Sequence, residues 1–207
     1  MAAGDVLRSF ATPGTDPHGI TWDGRALWIC DRDLDRIYQI DPETGLVLRS
    51  FPSPTRTPQG LAWDGRTLWH SEAYTDRIYQ LDSVTGLVLR WFPAPNGDPT
   101  GLAWDGHTLF HCDAMSDLIY QLNPVTGAVL RSYAAPGTNA RDLAWDGRGL
   151  WIADVVADRV YLIDPETGIV LRSFALPAAN LFGVGWDGRS LWVCGTTNDR
   201  LYQVEAA

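Results

Sequence analysis

The chain has 207 residues, a formal net charge of −9, ten Trp, seven Tyr and sixteen basic residues, every one of them Arg. The acidic balance argues against nucleic acid or an anionic membrane as partner, since both need a basic footprint, and no apolar run approaches the length of a membrane span. The absence of Lys excludes Schiff-base chemistry, a lysine base and a phosphate-binding Walker loop.

The first residues, Met1-Ala2-Ala3-Gly4-Asp5, carry neither a basic nor an apolar stretch of the kind that opens a secretion signal. A cytoplasmic, monomeric protein is the expectation; a secreted one whose leader has been trimmed is the alternative. Trp22, Trp63, Trp104, Trp145 and Trp186 each precede Asp-Gly, and each lies 41 residues from the last. The repeat leaves room for one domain only, with units at about 11–51, 52–92, 93–133, 134–174 and 175–207, the last completed by 1–10.

Within the second unit, four apolar segments alternate with turn signals. Residues 60–63 lead to Asp64-Gly65, which predicts a two-residue type I′ hairpin. Residues 68–72, a polar loop at 73–76, and residues 77–81 follow. The chain turns at 82–86, with Gly86 in the left-handed position, then runs through 87–92 into a Pro-rich loop at 93–99. Nothing reads as a helix. Four strands per repeat of about 40 residues is the pattern of a β-propeller blade. Residues 4–10 match the fourth strand of the other units, and the chain ends at 201–204 on a match to the third. Pairing these ends predicts an all-β, five-bladed propeller whose ring the N-terminal strand closes.

With Asp-Gly as the tip, Ile20 pairs with Leu27 and Gly19 with Trp28, placing a large ring over a small column. Asp35, Asp76, Asp117, Asp158 and Asp199 hold another column. Five copies of one residue point to a shared structural task, a carboxylate that accepts backbone amides across a loop. Cys30, Cys112 and Cys194 share a column on separate units, too far apart for a disulfide, and read as small buried thiols.

Function is sought where the units differ. The residue before the first-strand glycine reads His18, Gln59, Thr100, Arg141, Phe182. In a propeller this column opens on the central channel, so five different side chains there form one asymmetric pocket, or else a solvated loop end that has drifted. A second column reads Asp31, Glu72, Asp113, Asp154, Gly195. Four acids round one mouth suit calcium or another divalent cation; hydration or pairing with Arg32 and Arg141 is the alternative, in which no cofactor is held. His70 and His111 share a column and join His18 as candidate ligand-binding residues, with hydrogen-bonded core histidines as the other reading.

The combination Gln59-Gly60-Leu61, Asp64-Gly65, Leu68-Trp69, Asp82 and Thr85-Gly86 resembles a blade of the plant-type glutaminyl cyclotransferases. Those are five-bladed propellers with a Phe-Thr-Gln-Gly-Leu motif, and the short motifs are also similar to streptogramin-lyase-like propellers. The resemblance implies that Gln59 matches the substrate-binding Gln. It also shows two departures: the family's Glu in that column and its Lys have no counterpart here. Three functions are expected on this basis. The first is non-catalytic binding of a small molecule or peptide at the channel mouth, or a bare scaffold. The second is a cyclotransferase- or lyase-like enzyme with His18 or Glu72 as base and Arg141 stabilising an oxyanion. The third is a lectin-like multivalent binder, from a likeness to five-bladed lectins in blade number and Trp content.

Overall fold

Each 41-residue unit makes four strands because its apolar residues alternate and its Gly, Asp and Pro residues fall between the alternating runs. The computed structural model describes residues 1–176 and 180–206, and among these there are twenty strands and no helix. The chain opens with β1 (Val6–Ala11). The first blade then follows as β2 (Pro17–Trp22), β3 (Leu27–Asp31), β4 (Arg36–Ile40) and β5 (Val47–Pro52). The second is β6 (Pro58–Trp63), β7 (Thr67–Glu72), β8 (Arg77–Asp82) and β9 (Val88–Pro93). The third is β10 (Pro99–Trp104), β11 (Leu109–Asp113), β12 (Leu118–Leu122) and β13 (Val129–Ala134). The fourth is β14 (Ala140–Trp145), β15 (Leu150–Asp154), β16 (Arg159–Ile163) and β17 (Val170–Ala175). The fifth contributes β18 (Leu181–Trp186), β19 (Leu191–Gly195) and β20 (Arg200–Val204), and β1 completes it.

The ring closes as the sequence predicts. β1 lies antiparallel to β20, with Ser9 opposite Tyr202 and Ala11 opposite Arg200. This pairing covers the edge that β20 would otherwise expose. The innermost strands β2, β6, β10, β14 and β18 contact one another in sequence round the axis, and β18 meets β2. The core lies between blades, in five clusters. One holds Trp28, Cys30, Ile37 and Phe51 of the first blade against Leu61, Leu68, Tyr79 and Leu81 of the second. Burial of such rings is the main force holding adjacent blades together.

The hairpin at the repeat motif differs from expectation. Trp22 pairs with Leu27, Thr21 with Trp28 and Ile20 with Ile29, so the loop has four residues rather than two. A type I′ turn needs positive φ at both central residues; Gly24 has φ 94°, whereas Asp23 is absent from the residues with positive φ. Asp23 organises the longer loop instead. Its Oδ1 accepts the amides of Arg25 and Ala26, while Oδ2 accepts Trp28 Nε1 at 2.8 Å and Gln39 Nε2 at 2.7 Å. One carboxylate thus joins the turn to the second and third strands. Asp64 and Asp187 do the same. The small column under the large ring is therefore Thr21 and its equivalents, not Gly19.

The shared Asp column does bridge loops. Asp35, Asp76, Asp117, Asp158 and Asp199 all take left-handed φ between 47° and 53°, a region Asp tolerates better than most residues. Asp35 accepts the Thr57 amide, Asp76 the Asp98 amide and Asp158 the Asn180 amide, each in the connection to the next blade.

The glycine column has a different task. A Cβ on Gly19 would stand 2.5 Å from the Gln59 carbonyl oxygen and 2.7 Å from the Gly60 Cα; a Cβ on Gly60 would stand 2.8 Å from the Gly101 Cα. Inner strands meet backbone to backbone here. By contrast, Gly65 has open space round it and is needed only for its φ of 95°. Gly60→Ala is therefore expected to destabilise by about 3 kcal/mol or more through overpacking against backbone, and Gly65→Ala by about 1–2 kcal/mol through strain alone. Urea unfolding of both variants checks the order.

Candidate functional site at the channel mouth

The residues that differ between units are aimed by bulges. In each blade the pairing of the first and second strands slips next to the glycine column, between Pro17 and Ile20 in the first blade and between Ala140 and Asp142 in the fourth. A bulge leaves a residue out of the ladder and turns its side chain. His18, Gln59, Thr100, Arg141 and Phe182 all fall at these slips.

Three of the five meet. The Phe182 ring lies between the other two, 4.5 Å from the His18 ring centroid and 5.5 Å from the Arg141 guanidinium carbon. The guanidinium stacks as a cation on an aromatic face. His18 is 2% exposed, and its Nε2 lies 3.2 Å from Asp16 Oδ1. Burial works to raise the Asp16 carboxyl, but the hydrogen bond from His18 and its charge prevail and hold it below its ordinary range. Arg141 Nε is buried without a partner. Gln59 is 3% exposed and makes no side-chain hydrogen bond to a described residue. Thr100 is engaged, donating to the Cys112 and Ala140 carbonyls. The rim therefore joins one cation and one imidazole through a phenyl ring, and its column also carries one amide, Gln59.

The acid column is spent on loops. Asp31 accepts the amides of Asp16 and Leu34, and Asp154 those of Asn139, Val156 and Ala157. Both oxygens of Glu72 are taken by Tyr74 and Thr75 amides and by the Thr57 and Thr75 hydroxyls. Asp113 Oδ1 accepts from Met115 and Ser116. Each carboxylate caps the loop after its own strand, and all four also accept a donor from the loop that enters the blade. Among the described residues no three His, Cys, Asp or Glu side chains are grouped to hold a metal ion. Glu72 is in no position to act as a free base.

His70 and His111 lie apart from the rim. They pair across the strands with Leu61 and Leu102, and both are 0% exposed. His70 stacks on Tyr79, donates from Nδ1 to the Gly60 carbonyl and meets Ser53 Oγ at 3.0 Å through Nε2. His111 stacks on Tyr120, but neither ring nitrogen makes a hydrogen bond of good geometry. Burial drives both imidazoles down to about 4; the Gly60 carbonyl opposes this at His70, and the Gly101 carbonyl at His111.

Two of the three cysteines form a staple between blades. Cys30 Sγ donates to the Gln59 carbonyl at 3.2 Å, Cys194 to the His18 carbonyl at 3.4 Å, and Cys112 lies 3.2 Å from Thr100 Oγ1. Ser71 fills the same column and donates to the Thr100 carbonyl. Burial raises all three thiols, Cys112 to about 12, so they remain protonated donors. In the fourth blade this column holds Ala153, which has no donor. There the glycine column also breaks, and Asp142 stands in it. Its Oδ2 accepts the amides of Ile20 and Val184, both at 2.9 Å, while Oδ1 is buried without a partner. Burial pushes this carboxyl well above its ordinary range, against the pull of the surrounding amides. Sequence reasoning missed Asp142, although the one non-glycine in that column was the signal for it.

The histidines give a signed pH dependence. Their folded values lie below the unfolded 6.5, so the unfolded chain binds protons more tightly and stability is lost as pH falls from about 6.5 to about 4. The equivalents of His111 in other blades are Ile29, Ile152 and Val193. His111→Ile is expected to gain about 2 kcal/mol at pH 5 and much less at pH 7.5, measured by urea unfolding at the two pH values.

Comparison with protein families finds no match, and comparison with curated proteins finds none. Solved structures do match. Myxococcus xanthus glutaminyl cyclase is similar with a TM-score of 0.83 and 15% identity, over 97% of this chain and 95% of that one. A streptogramin B lyase is similar with a TM-score of 0.58 and 14% identity, over 97% of each chain. The virginiamycin B lyase of Staphylococcus aureus follows with a TM-score of 0.58 and 18% identity, over 96% of this chain and 69% of that one. At these identities the likeness is one of fold: the chain is a five-bladed β-propeller that shares its architecture with a glutaminyl cyclase and with streptogramin-type lyases.

Proposed function

We propose that the protein is a non-catalytic binding propeller that takes a small ligand or peptide end at the rim of His18, Gln59, Arg141 and Phe182. The observation that carries this reading is the Arg141–Phe182–His18 stack in a column that also holds Gln59, whose amide makes no hydrogen bond to a described residue. A guanidinium with an unpartnered Nε suits a planar carboxylate or amide group. The phenyl ring supplies the apolar wall that such sites need. Catalysis lacks a free carboxylate, because the acids of the neighbouring column are hydrogen-bonded within loops.

The second reading is a glutaminyl cyclase-like enzyme, favoured by the TM-score of 0.83 to such a protein. His18 is then the base, and Asp16 holds its ring. Incubation with an N-terminal glutaminyl peptide separates the two. The binding reading expects no ammonia above background. It also expects saturable calorimetric binding of the pyroglutamyl peptide, weakened at least ten-fold in Arg141→Ala. Ammonia release that disappears in His18→Ala establishes the enzyme instead.

A further inference from the structure

We infer that Asn96-Gly97, in the loop that enters the third blade, is a site of spontaneous covalent modification. The Asn96 side chain closes on the Gly97 nitrogen, loses ammonia and ends as aspartate or isoaspartate. The chain has five asparagines, and only Asn96 precedes a glycine. In the loops that enter the first, second and fourth blades the same two places read Gly14-Thr15, Thr55-Arg56 and Gly137-Thr138. Asparagine is thermolabile because the next peptide nitrogen can attack its side-chain carbonyl carbon. A side chain on that next residue obstructs the approach, and glycine has none.

The loop holds the pair loosely. Ala94 N donates to the Asp76 carbonyl at 2.8 Å and Asp98 N to Asp76 Oδ1 at 3.2 Å, while the Asp98 carbonyl accepts the Ala114 amide. Between these ties the Gly97 N–H makes no hydrogen bond to a described residue, so the attacking nitrogen is not engaged elsewhere. Asn96 Nδ2 donates to Asp113 Oδ1 at 3.4 Å, a long and weak tether. Both residues are partly exposed, so water reaches them. Gly97 is not required by the backbone. Its φ is not positive, and a Cβ there would meet nothing nearer than Asp76 Oδ1 at 3.8 Å. Its missing side chain therefore bears on reactivity and not on folding.

The five Asp-Gly steps of the repeat offer the same ring closure and are held against it. In each, Oδ1 accepts the amides two and three residues on, as Asp64 does from Arg66 and Thr67. Asn96 has no such turn to cap.

In the reaction the Gly97 nitrogen gives its proton to hydroxide and bonds to Asn96 Cγ. The Cγ–Nδ2 bond breaks, and ammonia leaves with a proton returned from water. Water then opens the five-membered imide at either carbonyl. Opening at one gives aspartate; opening at the other gives isoaspartate, whose main chain runs through the former side chain. One water is consumed and one ammonia released. Either product sets a second carboxylate against Asp113, whose carboxyl burial already raises, with a smaller push from Asp98. The loop leads straight into β10, which carries Thr100 of the rim column, so the change falls beside the channel mouth. Its ammonia scales with the protein and not with an added peptide.

The full chain is incubated in mildly alkaline buffer, then digested and weighed by mass spectrometry. The peptide holding Asn96 is expected to shift by the mass difference between amide and acid and to split into two chromatographic forms. Peptides holding Asn139, Asn180 and Asn198 are expected to convert at least ten-fold more slowly. Gly97→Ala is expected to slow conversion at least ten-fold with an unchanged urea midpoint. A parallel incubation in guanidinium chloride gives the rate in the unfolded chain. Conversion more than ten-fold slower in the folded chain than in the unfolded one, an equal rate at Asn139, or undiminished conversion in Gly97→Ala overturns the assignment.

Discussion

Everything at the centre of the molecule depends on how closely the inner strands approach. At Gly19, Gly60 and Gly101 there is no room for a Cβ, because the next blade's backbone occupies the place where it would go. Five sheets therefore converge until peptide groups, rather than side chains, line the axis. Edge strands have one row of peptide groups without a ladder partner. In this ring that row is satisfied from within, by thiols, a hydroxyl and one carboxylate. Cys30, Ser71 and Cys194 hold one column for this reason, as small groups with a hydrogen to donate, whereas in the third blade the Thr100 hydroxyl reaches the next blade and Cys112 accepts the Gly101 amide.

The fourth blade solves the same problem differently, and the differences are coupled. Ala153 removes the donor that the other blades use, and Asp142 replaces the glycine beside it. The carboxylate reaches amides of both the first and the fifth blades, neither of which belongs to its own sheet. One substitution thus joins three blades at the axis. Arg141, immediately before it, carries the charge at the rim, so the fourth blade supplies both the guanidinium stacked on Phe182 and the buried acid at the axis. A scaffold of near-identical units becomes polar from end to end through two adjacent residues.

The fold was legible because the repeat is regular, and the ring closure because residues 4–10 duplicate a fourth strand. The hairpin register was not, since Asp-Gly reads as a two-residue turn whether or not the Asp carboxylate reaches back to Trp28. That error moved Trp28 from Thr21 to Gly19 and concealed the true reason for the glycines. The bulges left no trace in composition, yet they decide which way His18 and Arg141 face. His70 and His111 looked like site residues because they share one column on neighbouring blades. Their column elsewhere is Ile or Val, and that comparison marks them as core.

The buried titratable groups act in opposite directions, and this bears on what the centre tolerates. His70 and His111 are depressed by burial, so their neutral state contributes stability that is lost as pH falls toward about 4. Asp142 is raised by burial, so the folded protein holds its proton more tightly than the unfolded chain. Its contribution is present at low pH and is lost as pH rises through the folded value. Acid therefore harms the inter-blade core while relieving the axis, and base does the reverse. Histidines can be relieved by an aliphatic residue, as three other blades demonstrate at the same column. Asp142 has no such substitute that keeps both amides of the first and fifth blades bonded. The neighbouring Arg141 stacks on Phe182 and makes no ion pair with Asp142, so burial without a countercharge favours the protonated carboxyl.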